Sequence, residues 1–380
     1  MDFAFNEEQE ELRSMAQAFL EENSGSEQIR KAMESELGYE PDTWNQIGAE
    51  LGWTSVHIPE EYGGLGLGYV ELVALQEIMG ARLLCAPYFS SVCLGANALL
   101  VAGSEEQKQE YLPGIAEGTT RATLAYQGES GRFDASTVEV TAEANDGGYR
   151  LNGKSTYVVD GHCADLVIIA ARTPGSEGEA GLSLFAVPGD AAGLSRKRLP
   201  TVDQTRRLAS LEFANVEVPA AALLGDEGAA GPALSRALDL AAIGLAAEQV
   251  GGAQQCLDMS VEYAKEREQF GRPIGSFQSI KHKCADMMLL VESARSAAYY
   301  AGCTVAEENE SELSTVAPLA KAYCSDAYFQ CAADSIQIHG GVGFTWEYDV
   351  HLYFKRAKSS EILLGDAQYH RELLAQRIGL

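Results

Sequence analysis

Basic residues are scarce in this chain. Against 55 aspartates and glutamates stand 28 lysines and arginines, leaving a formal net charge of −27 over 380 residues. So acidic a surface argues against nucleic acid and anionic bilayers as partners. Long apolar runs are missing too: none approaches the ~20 residues a membrane-spanning helix needs. The opening MDFAFNEEQEELR has neither a basic stretch nor an apolar one, so no secretory or transit peptide is expected. The eight cysteines include no C-x-x-C pair, and most, such as Cys284 and Cys324, sit in apolar helical settings. They read as reduced core thiols in a cytoplasm, not as a disulfide or zinc framework. His339 and His351 belong to no cluster with metal-ligand spacing, so no metal is expected. What is abundant is apolar content, 46%, enough to bury a sizeable core in two or three domains.

Three textures follow one another along the chain. Residues 1–120 carry apolar positions at three- and four-residue spacing over Glu7–Glu22, Pro41–Leu51 and Tyr69–Arg82, which predicts helices. The glycine-rich run Ile58–Gly68 between them is no dinucleotide fingerprint. No strand enters it, and Tyr69 stands where the third glycine would be. Residues 121–226 switch to period two, as in Thr137–Ala142 and Leu166–Ala170, punctuated by Asn145-Asp146-Gly147-Gly148, Asn152-Gly153 and Asp160-Gly161. Short strands without intervening helices predict a small antiparallel sheet or barrel. Residues 227–380 return to helix in four long segments, roughly 232–270, 277–308, 312–339 and 349–378, as in an antiparallel four-helix bundle.

One stretch concentrates the chemistry. Val261–Met287 reads as helix, short loop, helix, broken by Gly271, Pro273 and Gly275. Arg267, one turn before the break, joins a fixed cation to free backbone N–H groups at a helix junction, which suits a phosphate or pyrophosphate. An ordinary helical hairpin with a solvated arginine fits the same residues.

Spacing adds more. Arg267, Phe270, Gly271, Ile274, Phe277 and Gln278 form R-x-x-F-G-x-x-I-x-x-F-Q, which resembles the FAD-contacting segment of the acyl-CoA dehydrogenase family. Gln337-Ile338-His339-Gly340-Gly341-Val342-Gly343-Phe344 resembles that family's Q-x-x-G-G-x-G segment, and Pro59–Gly66 resembles its P-x-x-Y-G-G-x-G loop. The resemblance spans essentially the whole chain. It implies an α+β fold: an N-terminal α-helical domain (1–120), a β-barrel-like middle domain (121–226) and a C-terminal four-helix bundle (227–380). It implies FAD as cofactor and an acyl-CoA as substrate. By resemblance, Arg267, Phe270 and Gln278 contact the diphosphate and adenosine side across a subunit interface. Gln337, Gly340 and Gly341 contact the same cofactor from the partner subunit, and Gln368 matches the glutamine of the family's G-T-x-Q segment. Tyr157 stands where the family stacks a tryptophan on the flavin ring.

Departures from the pattern are as informative. Leu124–Gly131 replaces T-E-P-x-A-G-S-D, and Val159 replaces a threonine whose hydroxyl reaches the flavin. Where most members carry a catalytic glutamate in Y-E-G, this chain has Leu363-Leu364-Gly365, which leaves a backbone N–H at Leu364 as thioester donor but no carboxylate. The family's other glutamate position falls near Ala241. Glu248, seven residues on along the first bundle helix, is the candidate α-proton base, in competition with a bundle glutamate paired to a Lys or Arg, and with Asp239 or Asp366. The implied activity is FAD-dependent α,β-dehydrogenation of an acyl-CoA, with a texture resembling enzymes for bulky steroid-type thioesters. An electron-transfer flavoprotein is the implied acceptor, and the assembly is a homotetramer or an α2β2 pairing with a homologous subunit. The competing expectation is a catalytically silent partner completing an active homologue's FAD site. A third is a relative that uses flavin for oxygenation or nitroalkane oxidation.

Overall fold

The computed structural model describes residues 5–380. The chain divides into two compact units. Unit 1 takes Met1–Lys31, Tyr69–Leu84 and Ala242–Leu380, and unit 2 takes Ala32–Gly68 and Cys85–Ala241.

Unit 2 is built on an eight-stranded sheet. Its strands are β1 (Ala122–Ala125), β2 (Thr141–Asn145), β3 (Gly148–Val159), β4 (Leu166–Arg172), β5 (Leu182–Pro188), β6 (Leu194–Arg198), β7 (Leu208–Pro219) and β8 (Leu223–Leu224). They run in the order β6-β7-β3-β2-β4-β5-β8, with β1 beside β4. Asn145 pairs with Gly148, so Asp146-Gly147 is the two-residue loop the sequence predicted. The sheet is not wholly antiparallel as expected. β1 runs parallel to β4, from Ala122↔Leu166 to Ala125↔Ile169, the long stretch of chain between them, which includes β2 and β3, serving as the crossover a parallel pair needs. Val167, Ile169, Phe185 and Leu211 are fully buried on the core face, where Tyr149 meets Phe185 edge-on at 4.9 Å. Each such side chain contributes ~1.5–3 kcal/mol on burial.

Unit 1 contains α1 (Glu7–Asn23), α2 (Tyr69–Ala81), α3 (Gly231–Glu266, in this unit from Ala242), α4 (Gln278–Ala306), α5 (Glu310–His339), α6 (Val350–Ile362) and α7 (Ala367–Arg377). The fourth long segment expected over 349–378 is therefore two helices. Leu363-Leu364-Gly365 leaves the helix, with Leu364 at φ 63° and Gly365 at φ 112°. Asp366 then caps α7, its carboxylate accepting the Tyr369 N–H at 2.8 Å. Helices α2 and α3 meet backbone to backbone. A Cβ on Gly251 would lie 1.8 Å from the Glu77 carbonyl oxygen, and one on Gly80 would lie 2.0 Å from that of Glu248. Only glycine permits that approach.

Candidate functional site

The break after α3 is a two-residue hairpin. β9 (Glu268–Gln269) pairs with β10 (Arg272–Pro273), leaving Phe270 and Gly271 as the turn, both at positive φ, 56° and 75°. Glycine takes that backbone freely; phenylalanine takes it at a cost of ~1 kcal/mol. Phe270 also leaves 93% of its surface exposed, an apolar ring held out by a strained turn.

Arg267 follows the last turn of α3, so the helix end beside it offers carbonyls and not the N–H groups expected from the sequence. The free N–H groups belong to α4, which starts at Gln278 without a side-chain cap from Phe277. Arg267 itself is exposed and makes no ion pair among the described residues, although carboxylates outnumber cations two to one.

Arg267 and His339 line one open pocket of about 500 Å³, together with Tyr263, Glu262, Glu347 and Tyr348. His339 is locked there. Its ring stacks on Tyr263 at 4.3 Å, and its Nδ1 donates to the Ser335 carbonyl at 2.8 Å. Burial lowers its pKa below the usual value, which keeps the ring neutral. Gln337 lies exposed on the last turn of α5, and Gly340 and Gly341 open the following 3₁₀ turn, with nothing within 4 Å of either would-be Cβ. Arg267 of the R-x-x-F-G segment and His339 of the Q-x-x-G-G-x-G segment thus line the same pocket of one chain. Gln368 sits exposed on the first turn of α7.

Glu248 has a different environment from that of a poised base. Its Oε1 accepts from Arg356 Nη1 at 2.9 Å, and the two side chains are 7% and 4% exposed. This is the paired bundle glutamate that competed with a catalytic reading in the sequence. A carboxylate tied to a guanidinium holds a proton poorly. The neighbouring residues of A-E-Q-x-G-G are also spoken for by packing. Gln249 Nε2 donates to Ser325 Oγ at 3.1 Å, Gly251 admits α2, and Gly252 faces the Tyr328 ring. Asp366 is a helix cap, and Asp239 is buried.

Sequence reading passed over Lys321 and His370. Lys321, on α5, has no exposed surface; its Nζ donates to Ser325 Oγ at 2.8 Å and to the carbonyls of Gly365 and Glu361 at 3.0 and 3.2 Å. His370 Nε2 donates to the Leu364 carbonyl at 3.0 Å. The available signal was positional: Lys321 falls on the same helical face as Ala317, Cys324 and Tyr328, an apolar stripe where a lysine is out of place.

In unit 2, Tyr157 occupies a register shift of β3 between Ser155 and Val158, at φ 57°, and turns 42% of its surface to solvent. The nearby turn at 127–131 has two of its backbone donors taken. Gly128 N–H donates to Thr137 Oγ1 at 2.9 Å, and Glu129 N–H donates to Glu139 Oε1 at 3.0 Å. Lys154 pairs with Glu129 over them.

Three family profiles match the chain end to end: acyl-CoA dehydrogenase, N-terminal domain, over residues 6–119; middle domain over 124–216; and C-terminal domain over 231–379. The chain belongs to the acyl-CoA dehydrogenase family. It is 36% identical to acyl-CoA dehydrogenase IpdE2 of Mycolicibacterium smegmatis, over 95% of both chains. The ChsE4-ChsE5 complex of Mycobacterium tuberculosis matches at 30% identity and a TM-score of 0.90, covering 100% of this chain and 99% of that one. The Tcur3481-Tcur3483 steroid ACAD matches at 31% identity and a TM-score of 0.87, covering 98% of each.

These dehydrogenases are FAD-dependent oxidoreductases acting on CH–CH bonds. Unit 1 of this dehydrogenase fits the cofactor's dinucleotide end, with the unpaired Arg267, the uncapped start of α4 and the open Gly340-Gly341 turn. In unit 2 the Gly128 and Glu129 N–H groups are not free for the flavin ring, because Thr137 and Glu139 already hold them. Among the described residues no group of histidines, cysteines or carboxylates could hold a metal ion, and no helix is long and apolar enough to cross a membrane.

Proposed function

We propose that the chain is one subunit of a cytoplasmic acyl-CoA dehydrogenase that makes the 2-enoyl thioester of a bulky, steroid-type acyl group. It works paired with a homologous, unlike subunit as α2β2, and passes electrons to an electron-transfer flavoprotein. The observation that carries the pairing is the contrast between its two half-sites. Gly340 and Gly341 in unit 1 are open, while the Gly128 and Glu129 N–H groups in unit 2 are bonded to Thr137 and Glu139. Phe270, Phe344 and Trp346, exposed by 93%, 65% and 61%, are apolar surface of the kind a second subunit covers. Likeness to a ChsE4-ChsE5 complex and to a steroid ACAD written as two proteins supports both the pairing and the substrate class. All eight cysteines are free, which supports a reducing compartment.

Bound FAD supplies the acceptor for the β-hydride, which no side chain can. This chain's own contribution would start with Arg267, whose guanidinium would hold the diphosphate, and Tyr157, whose ring would stack on the flavin. Leu364 N–H donates to the thioester oxygen as enolate character grows, lowering the cost of removing the α-proton. We assign Glu248 to anchoring α6 and leave proton abstraction to a carboxylate that the unlike subunit contributes beside the same thioester. The absence of any carboxylate at Leu363-Leu364-Gly365 favours a second reading, in which this chain is catalytically silent and only completes its partner's FAD site.

Expression alone and with a homologous subunit tests the proposal, reading mass, FAD per chain and flavin bleaching with acyl-CoAs from short linear to steroid-derived. A mixed tetramer that bleaches with bulky thioesters is the expected result. A stable homotetramer with one FAD per chain and full turnover overturns the pairing. Glu248→Gln separates the roles of that residue: bleaching at the unaltered rate leaves it an anchor, and a fall of ~100-fold makes it the base.

A further inference from the structure

Leu364 presents an unusual combination. The residue is 7% exposed, its backbone is left-handed at φ 63°, and its N–H has no acceptor among the described residues. A buried N–H without an acceptor is rare, and a left-handed leucine costs ~1–2 kcal/mol. Something else must hold the loop in this state.

Two side chains do. The Leu364 carbonyl accepts from His370 Nε2 at 3.0 Å, and the next carbonyl, Gly365, accepts from Lys321 Nζ at 3.0 Å. Lys321 also bonds the Glu361 carbonyl in the last turn of α6 and Ser325 Oγ, which in turn accepts from Gln249 of α3. Three acceptors match the three protons of an ammonium. A cation of zero exposure carries a desolvation cost that an aliphatic residue would avoid. Helix packing does not call for it, whereas a loop with two carbonyls to be fixed does.

We propose that Lys321 and His370 are positioning residues that clamp the 363–365 loop from both sides and aim the Leu364 N–H at an acyl thioester oxygen. This rests on the dehydrogenase reading above. The clamp fixes the peptide plane between Leu364 and Gly365 at one end and the turn out of α6 at the other. The donor then meets the oxygen without reorganising, which is what makes such a donor effective in a transition state.

The test uses the assembled protein as isolated, with Lys321→Met, Lys321→Arg and His370→Gln. Amide exchange over 363–366, read by mass spectrometry, reports the clamp without any ligand. Infrared difference spectra of a bound 1-13C-labelled 2-enoyl-CoA, the product form, report polarisation of the thioester carbonyl. Loss of one charge-assisted hydrogen bond in Lys321→Met should speed exchange in the loop by about tenfold or more. The carbonyl band, lowered in the unaltered protein, should return toward its position in free 2-enoyl-CoA. Lys321→Arg should restore part of both effects, and His370→Gln should shift the band while sparing exchange elsewhere. Exchange and carbonyl band both unchanged in Lys321→Met and His370→Gln would overturn the proposal. A loop that loosens while the band is never lowered, even in the unaltered protein, leaves the clamp standing and removes the thioester as its purpose.

Discussion

Glu248 and Arg356 meet at 2.9 Å with almost no exposure on either side, joining α3 to α6 through a buried ion pair. Removing one member strands the other charge in the bundle interior. Glu248→Ala should cost ~3–5 kcal/mol of unfolding free energy. Replacing both, as Glu248→Leu with Arg356→Met, should recover most of that loss, because two apolar side chains leave no charge unpaired. Denaturant titration of the two variants decides it; equal losses in both would remove the pair as the cause.

The unpaired Arg267 makes a prediction about cofactor affinity. Arg267→Ala should weaken FAD binding by ~1.5–3 kcal/mol, the worth of a charge-assisted hydrogen bond, while leaving the fold intact. Fluorescence titration of the apoprotein with FAD measures it. Unchanged affinity would sink the diphosphate role.

Acid should destabilise the chain through buried imidazoles. Burial first, and then the nearby Lys321 charge, push the His370 pKa down to about 3, and burial pushes His57 down to about 4. An unfolded histidine titrates near ~6.5. Between those values the unfolded chain binds a proton that the folded chain refuses, so stability is intact above pH ~6.5 and falls as pH drops toward ~3. For His370 the slope approaches ~1.4 kcal/mol per pH unit. Urea midpoints from pH 7.5 to 4.5 should show a shallower decline in His370→Gln, and parallel curves would contradict the assignment.

Helix contact at Gly251 should tolerate nothing larger. Gly251→Ala places a methyl 1.8 Å from the Glu77 carbonyl oxygen and should cost ~2–3 kcal/mol or more as α2 and α3 are forced apart. Gly147→Ala, in an open turn with nothing within 4 Å, should stay within ~0.5 kcal/mol. Thermal melts of the two variants make the comparison, and similar Tm shifts would contradict the close packing.

Local pattern alone determined a good deal of this protein. The Leu166–Ala170 run became β4 and the Asn145–Gly148 turn set one register, because side-chain alternation and turn chemistry act within a few residues, whereas 137–140 stay outside the strands and Asn152-Gly153 lies within β3 instead of turning. The spacing of Arg267, Phe270, Gln337, Gly340 and Gly341 placed all five at or beside helix ends, which is where they lie. A capping box at Ser104 and Gln107 marked the helix Glu105–Ala116 in plain view, although the periodicity reading passed over it. What only the tertiary structure decided are the pairings between distant segments. Whether Glu248 is a base or an anchor depends on Arg356, 108 residues away. Whether Lys321 is a stray cation or a clamp depends on carbonyls 40 and 44 residues further on, which no period in the sequence relates to it. The same holds for Gly128 and Glu129, whose N–H groups are taken by Thr137 and Glu139 through a loop closure the sequence pattern does not record. Burial turns such partners into determinants of charge and proton affinity, and burial is a property of the fold, not of the neighbouring residues along the chain.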